Sequence, residues 1–339
     1  MKILGIESSC DETAAAVVED GNKILSNIVA TQIPFHKMYN GVVPEIASRK
    51  HTEWILPVVK QALAEADLSL EEIDGIAATG RPGLMGSLLV GLTFAKTLAW
   101  SSNKPFIAVN HMLGHLYASH LENDIPYPYL GLLVSGGHSI ICKVNNFDDI
   151  EVLGTTIDDA PGEAFDKVAK FYNLGYPGGA VIDKLAKNGN PKAANFPMPI
   201  IHKEGHKYDV SYSGLKTAVI NQIDRFWNKD FEKTPENIAA SFQIRAVKIL
   251  LRPLLDASID TGLKTIVAGG GVAANSLLRE KLAEHKELKC IFPSLKFCMD
   301  NAAMIAGLGY HYLKRGDRTP FTVEASARVE GFSKKGKQS

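Results

Sequence analysis

Apolar and polar residues alternate in two similar stretches of the chain, one at the N-terminus and one near the middle. The first stretch holds three apolar runs, at residues 3–7, 13–18 and 23–29. The second holds three more, at residues 129–134, 139–144 and 150–153. Short runs of this kind, joined by tight turns of small polar residues, are typical of β-hairpins. We therefore predict the same three-strand unit twice, although two unrelated glycine-rich hairpins would give a similar pattern.

Helical patterns follow both three-strand units. They cover residues 43–66 and 86–100 after the first unit, and residues 162–172 and 180–187 after the second. Strands followed by helices in this way predict an α/β fold with two duplicated lobes. We expect an N-terminal lobe (1–124) completed by a helix near 302–325, a C-terminal lobe (125–301) and a basic tail (326–339). Two such lobes would leave a cleft of the kind in which ligands usually bind.

Several predicted strands end in turns rich in glycine or serine. The strand at 265–268 runs into Gly269-Gly270-Gly271 and then into a helix at 276–285. A glycine turn in front of a helix N-terminus offers backbone N–H groups to an anion. Each turn alone is more typical of a plain hairpin. Together with Ser8-Ser9 and Ser135-Gly136-Gly137, however, this turn favours nucleotide binding.

The charge of the chain does not by itself attract nucleic acid. Lys plus Arg and Asp plus Glu both number 37, so the formal net charge is zero. Contact with RNA would depend on local basic clusters, which are equally typical of an ordinary solvated surface. The candidates are Arg49-Lys50-His51, Lys203 with His206-Lys207, and Arg245 with Lys248.

The four cysteines are scattered and form no CxxC pair. This spacing argues against a disulfide framework and favours a reducing cytoplasm. The N-terminus enters a strand pattern directly, without the pattern of a signal peptide. No apolar run approaches the roughly 20 residues that a membrane helix needs. We therefore expect a cytoplasmic protein without a membrane segment.

His111 and His115 are the strongest candidates for metal ligands. They follow the apolar run 106–109 and are four residues apart, so a helix would place both rings on one face. A zinc protease would need Glu after the first histidine, but Met112 stands there. The same spacing recurs at His202 and His206, in a segment that lacks helical periodicity.

A third ligand is needed, and Asp300 is the candidate. It stands just before a predicted helix at 302–313, where Asp is also a favoured N-cap. Two imidazoles and one carboxylate would leave open positions on Fe²⁺ or Zn²⁺ for a substrate oxygen. Capping of the helix remains the alternative for Asp300.

A second group of carboxylates lies at residues 158–166, and Asp183 follows the turn at 176–179. Glu163 is explained by its place in the first turn of a helix, where negative charge is favourable. Asp166 is less well explained in that way. Carboxylates of this kind could accept hydrogen bonds from a ribose.

These segments together resemble the tRNA adenosine threonylcarbamoyltransferases of the t6A pathway, a family formerly labelled O-sialoglycoprotein endopeptidase. The motifs that carry the resemblance cover nearly the whole chain. They are GIESSCDETAAAVV (5–18), GVVPEIASRKH (41–51), PGLMGSLLVG (82–91), NHMLGH (110–115), LLVSGGHS (132–139), IDDAPGEAFDKVAK (157–170), YPGG (176–179), SYSGLKT (211–217), GGGVAANSLLR (269–279) and CMDNAAMIA (298–306). Arg81 and Leu113 depart from the pattern, but neither matches a ligand position.

The resemblance implies an actin/Hsp70/sugar-kinase-like fold, with two duplicated α/β lobes around a nucleotide cleft. His111, His115 and Asp300 match the family's metal ligands, and Asp11 and Glu12 match an acidic pair near the reacting centre. The positions that match the substrate site are Leu133, Val134, Ser135, Gly136, Gly137, Asp166, Gly179, Asp183 and Asn275.

The resemblance also implies a reaction. The threonylcarbamoyl group of threonylcarbamoyl-AMP would be transferred to N6 of adenosine 37 in tRNAs that read ANN codons, forming t6A and releasing AMP. The implied metal is Fe²⁺, with Zn²⁺ as the alternative, and the bound nucleotide is threonylcarbamoyl-AMP, ATP or ADP. Asp11 is our candidate general base.

The implied partners are the tRNA, a non-catalytic paralogue of the same fold and a small P-loop ATPase. We expect the paralogue to dock on the amphipathic segment 47–64, which a core-facing helix would explain almost as well.

Two other function classes remain open. A sugar or acetate kinase would share the lobes and the phosphate-binding turns, but it would not use a helical histidine pair on a metal. A nucleotide-driven chaperone or scaffold would bind nucleotide without modifying tRNA. The protease label is disfavoured by Met112.

Overall fold

The computed structural model describes residues 1–199, 201, 205–328 and 332. The chain divides into two compact units, one made of Met1–Ile125 with Pro293–Phe332 and the other containing Pro126–Phe292. Most of the predicted basic tail, 326–339, lies outside the described residues, as do His202 and Lys203. In the part of the chain that is described, no helix is both long enough and apolar enough to span a membrane. None of the four cysteines, all of which are described, forms a disulfide.

The N-terminal part of the first unit contains five strands and four helices. In chain order they are β1 (Lys2–Glu7), β2 (Glu12–Glu19), β3 (Lys23–Thr31), α1 (Ile33–His36), α2 (Pro44–Glu65), β4 (Gly75–Arg81), α3 (Met85–Ser101), β5 (Phe106–Asn110) and α4 (His111–Tyr117). The strands form one sheet in the order β3-β2-β1-β4-β5. The β1–β2 and β2–β3 pairs are antiparallel, whereas β4 and β5 are added in parallel.

The second unit repeats this arrangement. Its elements are β6 (Tyr129–Val134), β7 (Ser139–Val144), β8 (Ile150–Thr155), α5 (Pro161–Phe171), α6 (Gly178–Ala186), α7 (Ser213–Asn221), α8 (Ile223–Phe226), α9 (Pro235–Thr261), β9 (Thr265–Gly269), α10 (Ser276–Ala283) and β10 (Lys289–Ile291). The sheet order β10-β9-β6-β7-β8 is that of the first sheet read in reverse, with the same parallel and antiparallel pairs. The predicted duplication is therefore confirmed, and a chance likeness of two hairpins is excluded.

The chain returns to the first unit through α11 (Leu295–Cys298) and α12 (Ala302–Arg315). The return begins at Pro293, eight residues before the boundary at 301 that the sequence analysis gives to the second lobe. The Ser294 N–H donates to Glu122 Oε2 at 2.8 Å, and α11 packs against the turn Ala118–Leu121. Asp300 therefore belongs to the same unit as the two histidines.

Both faces of the first sheet are covered by helices. Successive residues of a strand point to opposite faces, so β1 contributes side chains to both. Leu4 and Ile6 belong to the apolar core with residues of α2 and α3. Gly5, between them, faces the other side, where a Cβ would lie 2.4 Å from Ala302 O of α12. Successive strand residues point to opposite faces, so this small residue lets the buried helix α12 approach β1 closely.

Candidate functional site

Strand β5 and helix α4 position the two histidines. The Asn110 side chain accepts a hydrogen bond from Met112 N–H and so caps the start of α4 directly after the strand. His111 and His115 then occupy the first and fifth positions of the helix, and their ring centroids are 4.5 Å apart. The predicted helical pair is confirmed.

Asp300 lies beside both rings. Its Oδ1 atom is 3.0 Å from His115 Nε2 and 3.5 Å from His111 Nε2. The cap of α12 is Asn301, whose side chain accepts the Met304 N–H, so the alternative that Asp300 only caps this helix is wrong. The neighbouring asparagine performs the capping, and the carboxylate faces the histidines.

The three residues fit a divalent transition metal. One ligand atom from each lies within 4.8 Å of the others. Bonds of about 2.0–2.2 Å at tetrahedral or octahedral angles separate neighbouring ligand atoms by about 3.0–3.5 Å. The two Nε2–Oδ1 distances, 3.0 and 3.5 Å, agree with this separation. Imidazole nitrogen with carboxylate oxygen is a donor set for iron or zinc.

Glu7 and Ser9 contact His111, Thr79 contacts Glu7, and the sequence analysis assigned none of these residues to the metal site. The buried Glu7 carboxylate lies 3.0 Å from His111 Nδ1 through Oε2, and Ser9 Oγ lies 3.2 Å from the same nitrogen. Thr79 Oγ1 donates to Glu7 Oε2 at 2.5 Å. The sequence offered one signal for Glu7, since a charged residue at the end of the apolar strand β1 is unusual. That signal could not show that its partner is His111.

The charged groups of this cluster strongly shift one another's pKa values. Burial lowers the pKa of His111, but Glu7 and Asp300 outweigh burial and raise this pKa to about 9. Burial opposes ionisation of Asp300, but His111 and His115 outweigh it and lower the pKa of Asp300 to about 2. Two carboxylates therefore stabilise positive charge at this point, carried by a proton or by a metal cation.

Asp11 and Glu12 lie next to each other in the same unit, and both are buried. Glu12 Oε1 accepts a hydrogen bond from Thr31 Oγ1 at 3.2 Å. Burial, together with the negative charges of Asp300 and Asp11, raises the pKa of Glu12 well above its usual value. Glu12 therefore favours the protonated form.

The predicted substrate turn joins β6 to β7 in the second unit. Leu133 and Val134 are fully buried strand residues, so their side chains cannot reach a ligand at the surface. The Ser135 N–H donates to His138 O at 2.9 Å, so it is not available as a donor to an anion, contrary to expectation. The exposed Gly136 and Gly137 are different, because a Cβ on either would meet nothing within 4 Å. These two glycines present open backbone.

The other predicted substrate residues are connected to this turn by hydrogen bonds. The N–H groups of Gly162 and Glu163, at the start of α5, donate to Ser135 O and Gly136 O. Further along α5, Asp166 Oδ1 accepts the Gly178 N–H at 2.8 Å, next to Gly179. The structure thus joins the turn, α5 and the start of α6.

Asp183 and Asn275 continue the connection. Asp183 Oδ1 accepts from Ser276 N–H at 3.1 Å and from Ser276 Oγ at 2.8 Å. The Asn275 side chain caps α10 by accepting the Leu278 N–H. Gly270 belongs to the same group, because it packs directly against the end of β6, where a Cβ on it would lie 2.4 Å from Val134 O. Apart from the buried Leu133 and Val134, the predicted substrate residues therefore lie together in one contiguous part of the second unit.

The predicted basic clusters are largely neutralised by local partners. His51 is buried between Thr13 Oγ1 and Cys10 O, while Arg49 pairs with Glu45 and Lys50 with Glu53. His206 pairs with Asp209 and Lys207 with Asp260. In these two of the three candidate clusters, the cations that lie beside an acidic group are Arg49, Lys50, His206 and Lys207, which agrees with the alternative of an ordinary solvated surface.

The chain is similar to known proteins over nearly its whole length. A family model described as tRNA N6-adenosine threonylcarbamoyltransferase matches residues 23–307. A protein of that description from Treponema denticola is 98% identical over 338 residues, which is 100% of both chains. One from Treponema pallidum subsp. pallidum is 64% identical over 336 residues, covering 99% of this chain and 96% of the relative.

A solved structure supports the fold. HypF from T. kodakarensis aligns with 96% of this chain and 49% of its own, with a TM-score of 0.63 and 16% identity. At this identity the likeness concerns the fold alone, and it agrees with the predicted actin/Hsp70/sugar-kinase-like fold.

Proposed function

The chain belongs to the tRNA N6-adenosine threonylcarbamoyltransferase family, and from this premise we propose the finer reaction. The threonylcarbamoyl group of threonylcarbamoyl-AMP is transferred to N6 of adenosine 37 in tRNAs that read ANN codons. A bond forms between N6 and the carbamoyl carbon, and the bond from that carbon to the phosphate oxygen breaks. The products are t6A and AMP.

The convergence of His111, His115 and Asp300 carries this proposal. A small-molecule kinase of the same fold has no use for such a group, whereas an acyl transfer benefits from a cation near the donor. When bound, Fe²⁺ or Zn²⁺ would supply Lewis-acid stabilisation of negative charge on the donor's oxygens. We assign the metal to these three residues and favour iron from the family resemblance.

The second unit is proposed to hold the adenylate. The N–H groups of Gly136 and Gly137 are suited to an anionic oxygen, because no Cβ would block its approach. Asp166 and Asp183 are suited to the ribose hydroxyls, and Gly179 and Asn275 lie beside them. Holding the donor and the amine in one geometry contributes up to about 7–11 kcal/mol in the best cases.

Asp11 is proposed to take the proton that N6 loses during attack. Glu12 favours the protonated form, so we do not propose it as the base. Its role would be to keep the charge near Asp11 low before the amine arrives.

We propose that a paralogue of the same fold docks on α2 and α3, and that a small P-loop ATPase is the third component. Most apolar residues of α2, including Ile55 and Val59, face the core, so the segment 47–64 is mainly a core-facing helix. Leu56 on α2 and Met85 and Leu89 on the adjacent α3 remain exposed. These three residues are the proposed contact surface.

Reconstitution tests the reaction. The chain is incubated with threonylcarbamoyl-AMP and an unmodified tRNA that reads an ANN codon, with and without the two partners, and nucleosides are analysed by mass spectrometry. We expect t6A at position 37 and one AMP per t6A, but no product on a tRNA that reads UNN codons. Nucleotide binding without t6A, even with both partners, would favour a chaperone or scaffold.

A cellular experiment complements the reconstitution. We propose that the protein acts in the cytoplasm, where tRNA is found, so its depletion should lower the t6A content of that tRNA.

Metal analysis tests the site separately. Protein purified without oxygen should contain about one iron or zinc per chain, and His111→Ala should lose it. The matched variant His285→Ala changes a histidine of the second unit that pairs with Glu287 and should retain the metal. Equal metal content in both variants would contradict the assignment.

A further inference from the structure

Glu7 is a fully buried carboxylate at the end of β1. A buried charge is costly unless it is paired and hydrogen-bonded. Glu7 Oε1 accepts the Ser9 N–H at 2.6 Å, and Oε2 accepts the Thr79 hydroxyl at 2.5 Å. The remaining contact of Oε2 is His111 Nδ1 at 3.0 Å. The residue is held from three sides, and one of these contacts is a candidate metal ligand.

This contact determines which nitrogen of His111 faces the metal site. An ionised carboxylate can only accept hydrogen bonds, so Nδ1 must carry the proton that it shares with Glu7. In a neutral ring, Nε2 then has a lone pair, and Nε2 is the atom that lies 3.5 Å from Asp300 Oδ1. The ring is therefore fixed in the tautomer that binds a metal through Nε2.

His115 has no comparable support. Its Nδ1 atom is buried without a hydrogen-bond partner among the residues that the structure describes. The charge distribution agrees with a cation site, since the Glu7 and Asp300 carboxylates both lie beside these imidazole rings. A single divalent cation would balance this group.

We propose that Glu7 is a positioning residue, which acts through His111 to orient the ring and to strengthen its bond to a divalent metal. Thr79 and the Ser9 N–H hold Glu7 in place. This inference rests on the metal site assigned under the proposed function, to which it adds a residue that does not touch the metal.

Co²⁺ binding to the full chain tests the proposal, because its visible absorption reports ligand geometry without any need for activity. Replacement of a carboxylate that supports a metal-binding histidine typically weakens binding about 10- to 100-fold. Glu7→Gln, which keeps the shape but removes the charge, should show a loss of this size. In the Zn²⁺-loaded protein, the proton on His111 Nδ1 should also lose its downfield shift in the NMR spectrum.

Asp209→Asn is the matched control, because Asp209 is a buried carboxylate that pairs with His206 in the second unit. It should bind Co²⁺ like the wild type. If Glu7→Gln does not fold, Glu7→Asp and Thr79→Val take its place, each with an expected loss of threefold or more.

The outcomes separate the two proposals. If the wild type does not bind Co²⁺, or if His115→Ala binds it as tightly as the wild type, the metal site itself is wrong. If the wild type binds Co²⁺ and His115→Ala does not, but the Glu7 and Thr79 variants keep wild-type affinity and the same Nδ1 signal, the role of Glu7 is overturned.

Discussion

The two adjacent carboxyl groups Asp11 and Glu12 differ in their environment, so their variants should differ in effect. Asp11→Asn removes the proposed base and should slow single-turnover transfer about 10²- to 10⁴-fold. Glu12→Gln mimics a protonated carboxyl group, which burial and the nearby Asp300 and Asp11 already favour, and should change the rate less than tenfold. Rapid-quench measurement of t6A under single-turnover conditions compares the two.

Co²⁺ affinity serves as the control for this comparison and should stay within threefold in both variants. Equal losses of transfer in Asp11→Asn and Glu12→Gln would contradict the division of roles. An unchanged rate in Asp11→Asn would assign the base to another group.

Gly162 is a residue where a single added carbon has a defined consequence. A Cβ at this position would lie 2.7 Å from both Gly136 Cα and Ser135 O, which is overpacking against the backbone of the turn. Gly162→Ala should therefore destabilise the fold by about 1–3 kcal/mol and weaken ADP binding at least tenfold. Denaturant unfolding and calorimetry measure the two effects.

Gly214→Ala provides the comparison, because a Cβ there would meet only Pro199, at an ordinary 3.6 Å. It should leave ADP affinity unchanged. Tight ADP binding by Gly162→Ala would show that the turn does not hold the nucleotide.

Sequence reasoning reached the three candidate metal ligands but not Glu7, the group proposed to support them. The spacing of His111 and His115 predicted a shared helix face because helix periodicity is a local property. Glu7 lies 104 residues away from His111, and only the parallel strands β1, β4 and β5 bring the two together. The role of Asp300 was likewise undecided, since Asp is a favoured N-cap.

At the scale of elements, the paired strand units, the glycine turns and the helices α5, α6 and α10 were predictable, whereas the long helix α9 was not. The strand β6 and the helix α3 agree with the predicted ranges within one residue. The 27-residue helix α9 was not predicted. Its buried residues are spread over much of its circumference, so it lacks the single apolar stripe that identifies a surface helix.

A histidine beside the contact between α4 and α12, His120 in the turn Ala118–Leu121, should affect stability through its titration. The His120 ring stacks on Tyr117 with centroids 5.2 Å apart, and the Tyr117 hydroxyl lies 2.8 Å from His311 Nε2. Burial and the nearby His311 lower the pKa of His120 to about 4. The unfolded chain, with a pKa near the ordinary 6.5, therefore binds this proton first as the pH falls. The contribution of His120 to the free energy of unfolding is therefore complete above about pH 6.5 and is lost as the pH falls toward 4.

The expected size follows from the two pKa values. Between pH 7.5 and pH 5 the wild type should lose about 2 kcal/mol of unfolding free energy through this group. His120→Phe keeps a ring against Tyr117 but cannot titrate, so it should lose about 2 kcal/mol less over the same interval. His285→Phe, in the second unit, should behave like the wild type. An NMR titration that gives His120 a pKa near 6.5 would contradict the explanation.

At the scale of the whole molecule, the second unit is inserted between ligands of the metal site. His115 belongs to the N-terminal part of the first unit and Asp300 to its returning part, and residues 126–292 lie between them in the chain. Helix α12 completes the first unit by packing against β1, β2, β4 and β5. Each sheet thus arises from one continuous segment, whereas the first unit as a whole is assembled from two segments of the chain.

This order along the chain predicts where a metal should stabilise the protein. An ion bound by His111, His115 and Asp300 would connect α4 to the segment just before α12. A metal ion at 1,000 times its dissociation constant stabilises the folded state by about 4 kcal/mol. Hydrogen-exchange mass spectrometry with Zn²⁺ should therefore show the largest protection in β1, α4 and α12. ADP should protect the turn 135–137 and the starts of α5 and α10 instead. Asp300→Ala should abolish the Zn²⁺ effect and keep the ADP effect, because only the metal depends on the returning segment. Zn²⁺ protection of equal size in α9 and α10 would contradict this separation.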